Sequence, residues 1–206
     1  MKMALNKSKT KYMVINFTKK FQFSTRIQLE GILVEEVQEC QLLGLTLTQN
    51  LSWHKNTENI VKKANTRLIM LQRLYDFNLP VEDMLDIYSL FIRSMLEYSC
   101  EEEITSIERV QKTALKMILR ESYTDYLSAL ELTGLTTLRD RHTHLSLNFA
   151  KKCVKSGKSS DLFPKNIKSV NTRPHERYFV TPARTDRLAN STIPYCHTRP
   201  YLEISA

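Results

Sequence analysis

Residues 54–77 read HKNTENIVKKANTRLIMLQRLYDF, with Ile60, Ala64, Leu68, Leu71 and Tyr75 recurring at intervals of three or four. That spacing lines them up on one side of an amphipathic helix of about six turns. Lys55, Lys62, Lys63, Arg67 and Arg73 decorate the other sides. Strand patterning precedes this helix and mostly helical patterning follows it. The predicted fold class is therefore α+β, mostly helical: a small N-terminal antiparallel hairpin or sheet, then a helical bundle, then an irregular C-terminal tail. The corresponding regions are residues 1–50, 51–156 and 157–206.

Upstream, residues 12–17 (YMVINF) are β-rich and predict a strand behind a Lys-rich lead-in. Residues 27–29 and 33–37 flank Gly31, which predicts a hairpin turning at residues 30–32. Residues 41–48 (QLLGLTLT) form a third extended stretch, in which Gly44 marks either a bulge or a close approach of another backbone. So small a sheet is not stable alone; it must lie on the helices or on a sheet outside this chain.

Asn50, Leu51 and Ser52 make a sensible helix start, because Ser and Asn side chains cap free backbone N–H groups. Downstream, Pro80 suits the first turn of a second helix, with Glu82 and Asp83 at its positive end. Its predicted apolar face is Met84, Ile87, Tyr88, Phe91, Ile92 and Met95. Glu101, Glu102 and Glu103 open a further helix carrying Ile104, Ile107, Val110, Ala114, Leu115, Ile118 and Leu119. A short helix within residues 123–132 stops at Gly134. Thr137 and Asp140 resemble a capping box for a last helix, with Leu138, Leu145, Phe149 and Cys153 inward. Beyond Ser156 prolines recur, apolar residues scatter, and only residues 178–180 resemble a strand.

Thirty Lys and Arg against twenty-two Asp and Glu give a net charge of +8, which favours an anionic partner without bearing on fold. The distribution says more. Residues 1–20 hold six Lys and no acid, residues 51–77 sum to +3 and residues 136–160 to +5, whereas residues 78–100 sum to −3. Basic blocks broken by an acidic one read as a stripe. Cys40, Cys100, Cys153 and Cys196 lie far apart with no CxxC, the pattern of incidental thiols in a reducing compartment. No signal-like apolar run opens the sequence and no stretch reaches membrane-spanning length. The expected location is intracellular, nucleus or cytoplasm, without a membrane.

No metal site is expected. Three adjacent glutamates point in different directions on a helix, His142 and His144 cannot share a helix face, and His54, His175 and His197 are isolated. Trp53 is read either as a plug at the helix entrance or as a base-stacking ring, and Cys153 as core.

LNKSKTKYMVINF (residues 5–17), VQECQLLGLTLTQNLSWHKNTENIVKKANTRLIMLQRL (37–74), IYSLFIRSMLEYSC (87–100) and IERVQKTALKMIL (107–119), in that order, resemble the C-terminal end of a non-LTR, LINE-like, jockey-type retrotransposon reverse transcriptase. The likeness covers roughly residues 4 to 164 and rests on the ordered succession of motifs. It implies that Asn6, Lys9, Thr10 and Lys11 close the palm. Leu42, Leu43 and Gly44 would form a primer-grip-like element, and Trp53 with the helix behind it would begin the thumb. It further implies that Lys9, Lys11, Lys55, Lys62, Lys63 and Arg67 touch the phosphates of RNA, DNA or a hybrid, contacts that position without reading sequence.

Two departures limit what the resemblance carries. The paired aspartates of the palm are absent, so two-metal nucleotidyl transfer has no centre, and neither catalytic residue nor cofactor is expected. Cys100 also meets Glu101 directly, where the family has an intervening Trp-containing segment. The region from KYMVINF to VKKA is similar as well to a short domain at the N-terminus of AlkB-homologue tRNA methyltransferases, although the chain has neither an iron-binding His-x-Asp set nor a methyl-donor loop. The expectation is a non-catalytic polymerase remnant that at most binds nucleic acid weakly. Its alternatives are a helical protein-interaction module, or a decayed fragment with no function.

Overall fold

The computed structural model describes residues 6, 9–15, 26–98, 103–156 and 160–162. Two compact units divide the chain, Met1–Val110 and Gln111–Ala206. The architecture is α+β and mostly helical, with a small N-terminal β region followed by helices.

In the first unit, β1 (Lys11–Tyr12) pairs in parallel with β4 (Glu35–Glu36). Strands β2 (Gln28–Leu29) and β3 (Ile32–Leu33) form an antiparallel hairpin, as do β5 (Glu39–Leu42) and β6 (Leu45–Thr48). The predicted turn at Gly31 is present: Glu30 (φ 48°) and Gly31 (φ 79°) are both left-handed, the pair of torsions that matches the twist of a tight hairpin. Two expectations are corrected. The strand at residues 12–17 shrinks to Lys11–Tyr12, with Asn16 and Phe17 outside the described residues. Gly44 is neither bulge nor close approach, since an added Cβ would meet nothing within 4 Å. It turns a second two-residue hairpin with Leu43 (φ 50° and 85°), so residues 41–48 are the end of β5, a tight turn and all of β6, not one strand.

Helix α1 (His54–Asp76) buries Ile60, Ala64, Leu68 and Leu71, the predicted face, with Tyr75 half-buried. Asn50 and Ser52 act just before it: Asn50 Oδ1 accepts the Ser52 N–H at 3.0 Å, and Ser52 Oγ accepts the His54 N–H at 3.4 Å. Pro80 stands at the cap of α2 (Val81–Ile87), one place earlier than expected, with Glu82 and Asp83 in the first turn.

From α2 the helix continues through a π-helical segment (Tyr88–Arg93) into α3 (Ser94–Leu96). Here the predicted face is corrected. Met84, Tyr88, Ile92 and Leu96 are buried, whereas Phe91 is 58% exposed. A strict four-residue repeat drifts by about 40° per turn in an α-helix. The wider π turn adds a residue and cancels the drift, keeping all four side chains buried in segments that each pack on α1. Two carbonyls in the widened stretch are capped by side chains: Arg67 donates to the Phe91 oxygen and the Ser94 hydroxyl to the Leu90 oxygen.

Helix α4 (Ile104–Leu119) runs across the boundary between the units, and all seven apolar residues predicted to face inward are buried. In the second unit Gln111 is fully buried and donates to the Tyr126 hydroxyl at 2.9 Å and the Thr136 carbonyl at 3.0 Å. That position was not foreseen. Helix α5 (Tyr126–Thr133) is capped by Asp125, whose carboxylate accepts the Leu127 and Ser128 N–H groups, and ends at left-handed Gly134. Before α6 (Leu138–Ser156), Thr137 Oγ1 accepts the Asp140 N–H at 3.0 Å and donates to the Asp140 carboxylate at 2.7 Å. The inward face of α6 is Leu138, His142, Ala150 and Cys153; Leu145 and Phe149 are exposed, against expectation. Apart from residues 160–162, the predicted irregular tail and its strand at residues 178–180 lie outside the described residues.

Candidate nucleic-acid interface

Hairpin β5–β6 is mounted on α1 through one residue. The Thr46 N–H, at the free edge of β6, is accepted by Asn56 Oδ1 at 3.0 Å, and Asn59 Nδ2 donates to Thr46 Oγ1 at 3.1 Å. Asn56 is 1% exposed and its amide reaches toward the Tyr98 carbonyl at 3.5 Å. A buried strand edge needs a partner for each N–H, and here a side chain of α1 replaces a third strand. This clamp escaped the sequence reading. Its signal was two asparagines one helical turn apart, beside the first apolar residue of α1.

The clamp carries the primer-grip-like element, since Leu42, Leu43 and Gly44 form the end of this hairpin. Leu43 is 91% exposed there and Leu42 56%. The same helix carries four of the six predicted phosphate contacts. Lys62 pairs with Glu58 at 2.8 Å and Lys55 approaches the same carboxylate at 4.0 Å. The Lys62 hydrogen bond, followed by the charges of Lys62 and Lys55, holds Glu58 below the usual carboxylate range. Lys63 is exposed on the next position round the helix. Arg67 is committed to the Phe91 carbonyl. Lys9 and Lys11 belong instead to the β1 region, where Lys11 pairs with Glu35 at 3.1 Å. Most of the predicted contacts therefore already have intramolecular partners, although the pairs on Lys11, Lys55 and Lys62 are exposed and weak.

Between the hairpin and the start of α1 lies an open cleft of about 460 Å³, lined by polar groups including Gln38, Glu39, Thr48, Asn50, His54 and Lys55. Trp53 is half-buried immediately before α1. His54 Nδ1 sits 2.9 Å from a Glu103 carboxylate oxygen, whose hydrogen bond and charge lift His54 above the ordinary imidazole range. Among the described residues no group of three or more His, Cys, Asp or Glu is placed to hold a metal ion, and no helix is long and apolar enough to cross a membrane.

The outward face of α1 is divided lengthwise. Its first half presents Lys55, Lys62 and Lys63; its second half presents Ile69 and Met70, 57% and 62% exposed, and Arg73, with Phe77 just past the helix end at 79%. The sequence reading followed the buried row and passed over Ile69, Met70 and Phe77, which lie off it.

No family model, no curated protein and no solved structure matches this chain.

Proposed function

We propose that the chain is a non-catalytic helical interaction module that docks a protein partner on the outward face of α1. The observation that carries this reading is the exposure of Ile69 and Met70 on the C-terminal half of α1, with Phe77 just past its end, on a helix whose buried face is already satisfied. Isolated apolar residues on a surface need no explanation, whereas three gathered at one end of a helix do. Exposed Leu90 and Phe91, pushed outward where the π turn widens, add a second apolar pair in the same unit.

A second reading, the thumb of a reverse transcriptase that has lost its palm, is favoured by one arrangement. A hairpin ending in Leu42, Leu43 and Gly44 is clamped to the helix that carries Lys55, Lys62 and Lys63. In that reading the chain holds RNA, DNA or a hybrid through phosphates, weakly and without sequence preference.

Two variants of the full chain separate the readings. Ile69→Ser with Met70→Ser removes the apolar half of the face, and Lys62→Gln with Lys63→Gln removes the charge. For an interaction module, the first variant loses its cross-linked protein complexes and the second keeps them. For a thumb remnant, wild type binds a primed hybrid at about 50 mM salt and the charge variant loses that binding for every sequence alike.

A further inference from the structure

Helix α6, in the second unit, carries a surface that the docking reading of α1 does not use. Leu145 and Phe149, one turn apart, are 37% and 48% exposed. They lie between the buried row of His142 and Cys153 and a polar row on the other side. That polar row runs through His144, Asn148, Lys151, Lys152 and Lys155 at three- and four-residue steps and contains no acid. Among the described residues none of these three lysines is in an ion pair, unlike Lys55 and Lys62 of α1. Only Lys155 stands in the last turn, where a cation steadies the helix end, so that role does not account for Lys151 and Lys152.

We propose that α6 docks an acidic, amphipathic protein segment, with the partner's apolar side chains on Leu145 and Phe149 and its carboxylates on Lys151, Lys152 and Lys155. The other charges leave this end of the helix basic. Asp140, the one acid of α6, accepts the Thr137 hydroxyl at 2.7 Å and sits between Arg139 and Arg141, about 16 Å along the helix from Lys151. Asp161, in the short 3-10 turn (Ser160–Leu162) that packs on α6, is exposed and in no ion pair with the lysines. Three positive charges therefore stand against one negative charge beside the apolar pair.

The two rows together select the class of partner. A phosphate backbone would engage the lysines and leave Leu145 and Phe149 idle. A membrane surface calls for a broad apolar face, and Leu138, Ala150 and Cys153 of this helix are already buried. A protein segment with carboxylates beside its apolar side chains uses both rows at once, and the charges set its orientation. Two apolar side chains and three surface cations make a small contact, with a Kd on the order of 100 µM that weakens with salt. The proposal is independent of the docking reading of α1, which involves none of these residues.

Fluorescence anisotropy tests this, with the full chain titrated into a labelled synthetic helix built of Glu, Leu and Ala, its Leu residues at three- and four-residue steps. Wild type should bind this peptide at about 50 mM salt. Leu145→Ser with Phe149→Ser should raise Kd about tenfold, as should Lys151→Glu with Lys152→Glu and Lys155→Glu. The charge-reversed chain should instead bind the same peptide made with Lys in place of Glu, a gain that an unfolded variant would not show. Ile69→Ser with Met70→Ser should leave the binding unchanged, which separates this proposal from the reading of α1. No binding of the acidic peptide up to about 1 mM overturns the proposal, as does binding that survives Leu145→Ser with Phe149→Ser. Tighter, lysine-dependent binding of single-stranded DNA or of phosphatidylserine vesicles overturns it too. So does self-association of the chain that these changes remove, in the absence of peptide binding.

Discussion

Replacing Asn56 by Ala tests how the β region is attached to the helices. The side chain is 1% exposed, and its oxygen accepts the Thr46 N–H, itself on a residue 6% exposed. Ala leaves that N–H buried and unpaired, which costs about 1–3 kcal/mol, the range for orphaning a buried donor. The 3.5 Å contact from the Asn56 amide to the Tyr98 carbonyl is too long to add much. For a urea dependence of about 1–3 kcal/mol per molar, the unfolding midpoint should fall by about 1 M. Amide exchange at Thr46 should accelerate more than exchange in the middle of α1, because the hairpin is released before the helix unfolds. Asn59→Ala, which removes only the bond to the Thr46 hydroxyl, should cost about 1 kcal/mol or less. An Asn56→Ala chain with unchanged midpoint and unchanged protection at Thr46 would show that the hairpin is not held by this bond.

Other perturbations give independent checks. The Thr57 hydroxyl is buried without a hydrogen-bond partner among the described residues, so Thr57→Val should be neutral or stabilising by up to about 1 kcal/mol in urea unfolding; a loss of that size would mean the hydroxyl has a partner. Gly134 (φ 66°) ends α5, and Gly134→Ala should cost about 1–2 kcal/mol through strain alone, since the added Cβ meets open space. His54, lifted by the hydrogen bond and charge of Glu103, should titrate by NMR above the ordinary imidazole range, and Glu103→Gln should return it. Its folded value is raised, so its contribution is complete below the unfolded pKa and fades as pH rises through the folded one. Asp125 behaves in the opposite sense. Its bonds from the Ser128 hydroxyl and backbone N–H lower its pKa, so its contribution is present above the unfolded value and disappears as pH falls through the folded one. Protection of the α5 amides should follow that loss, whereas Asp125→Asn should flatten the pH dependence.

The parts of the fold legible in the sequence are those where ordinary periodicity holds. The buried faces of α1 and α4 were readable because their apolar residues keep to three- and four-residue steps. On the second helix the same rule chose Phe91 and Met95, because nothing in a single sequence announces that Tyr88–Arg93 will widen to a π turn and bring Leu96 inward. Gly44 was misread for a related reason: QLLGLTLT alternates well enough to pass for one strand, and the left-handed torsion at Leu43 is uncommon for a branched apolar residue. On α6 the row expected through Leu145 and Phe149 runs instead through His142 and Ala150, a choice set by packing rather than by hydropathy. Of the candidate site, the sequence located the lysines of α1 but not their ties to Glu58, nor the Arg67 bond to a carbonyl that the π turn exposes. Ion pairs of this kind depend on rotamers as well as spacing. The Thr46 clamp was less legible still, since it joins residues ten apart across a turn.

On the proposed reading, α1 meets a protein, not a phosphate backbone, along its outward face. A photo-cross-linking residue in place of Met70, in the full chain in expressing cells, reports what touches that face. The expected products are nuclease-resistant protein adducts that disappear when Ile69 is also changed to Ser and persist when Lys62 and Lys63 are changed to Gln. Adducts consisting of nuclease-sensitive RNA or DNA and abolished by the lysine changes would contradict it.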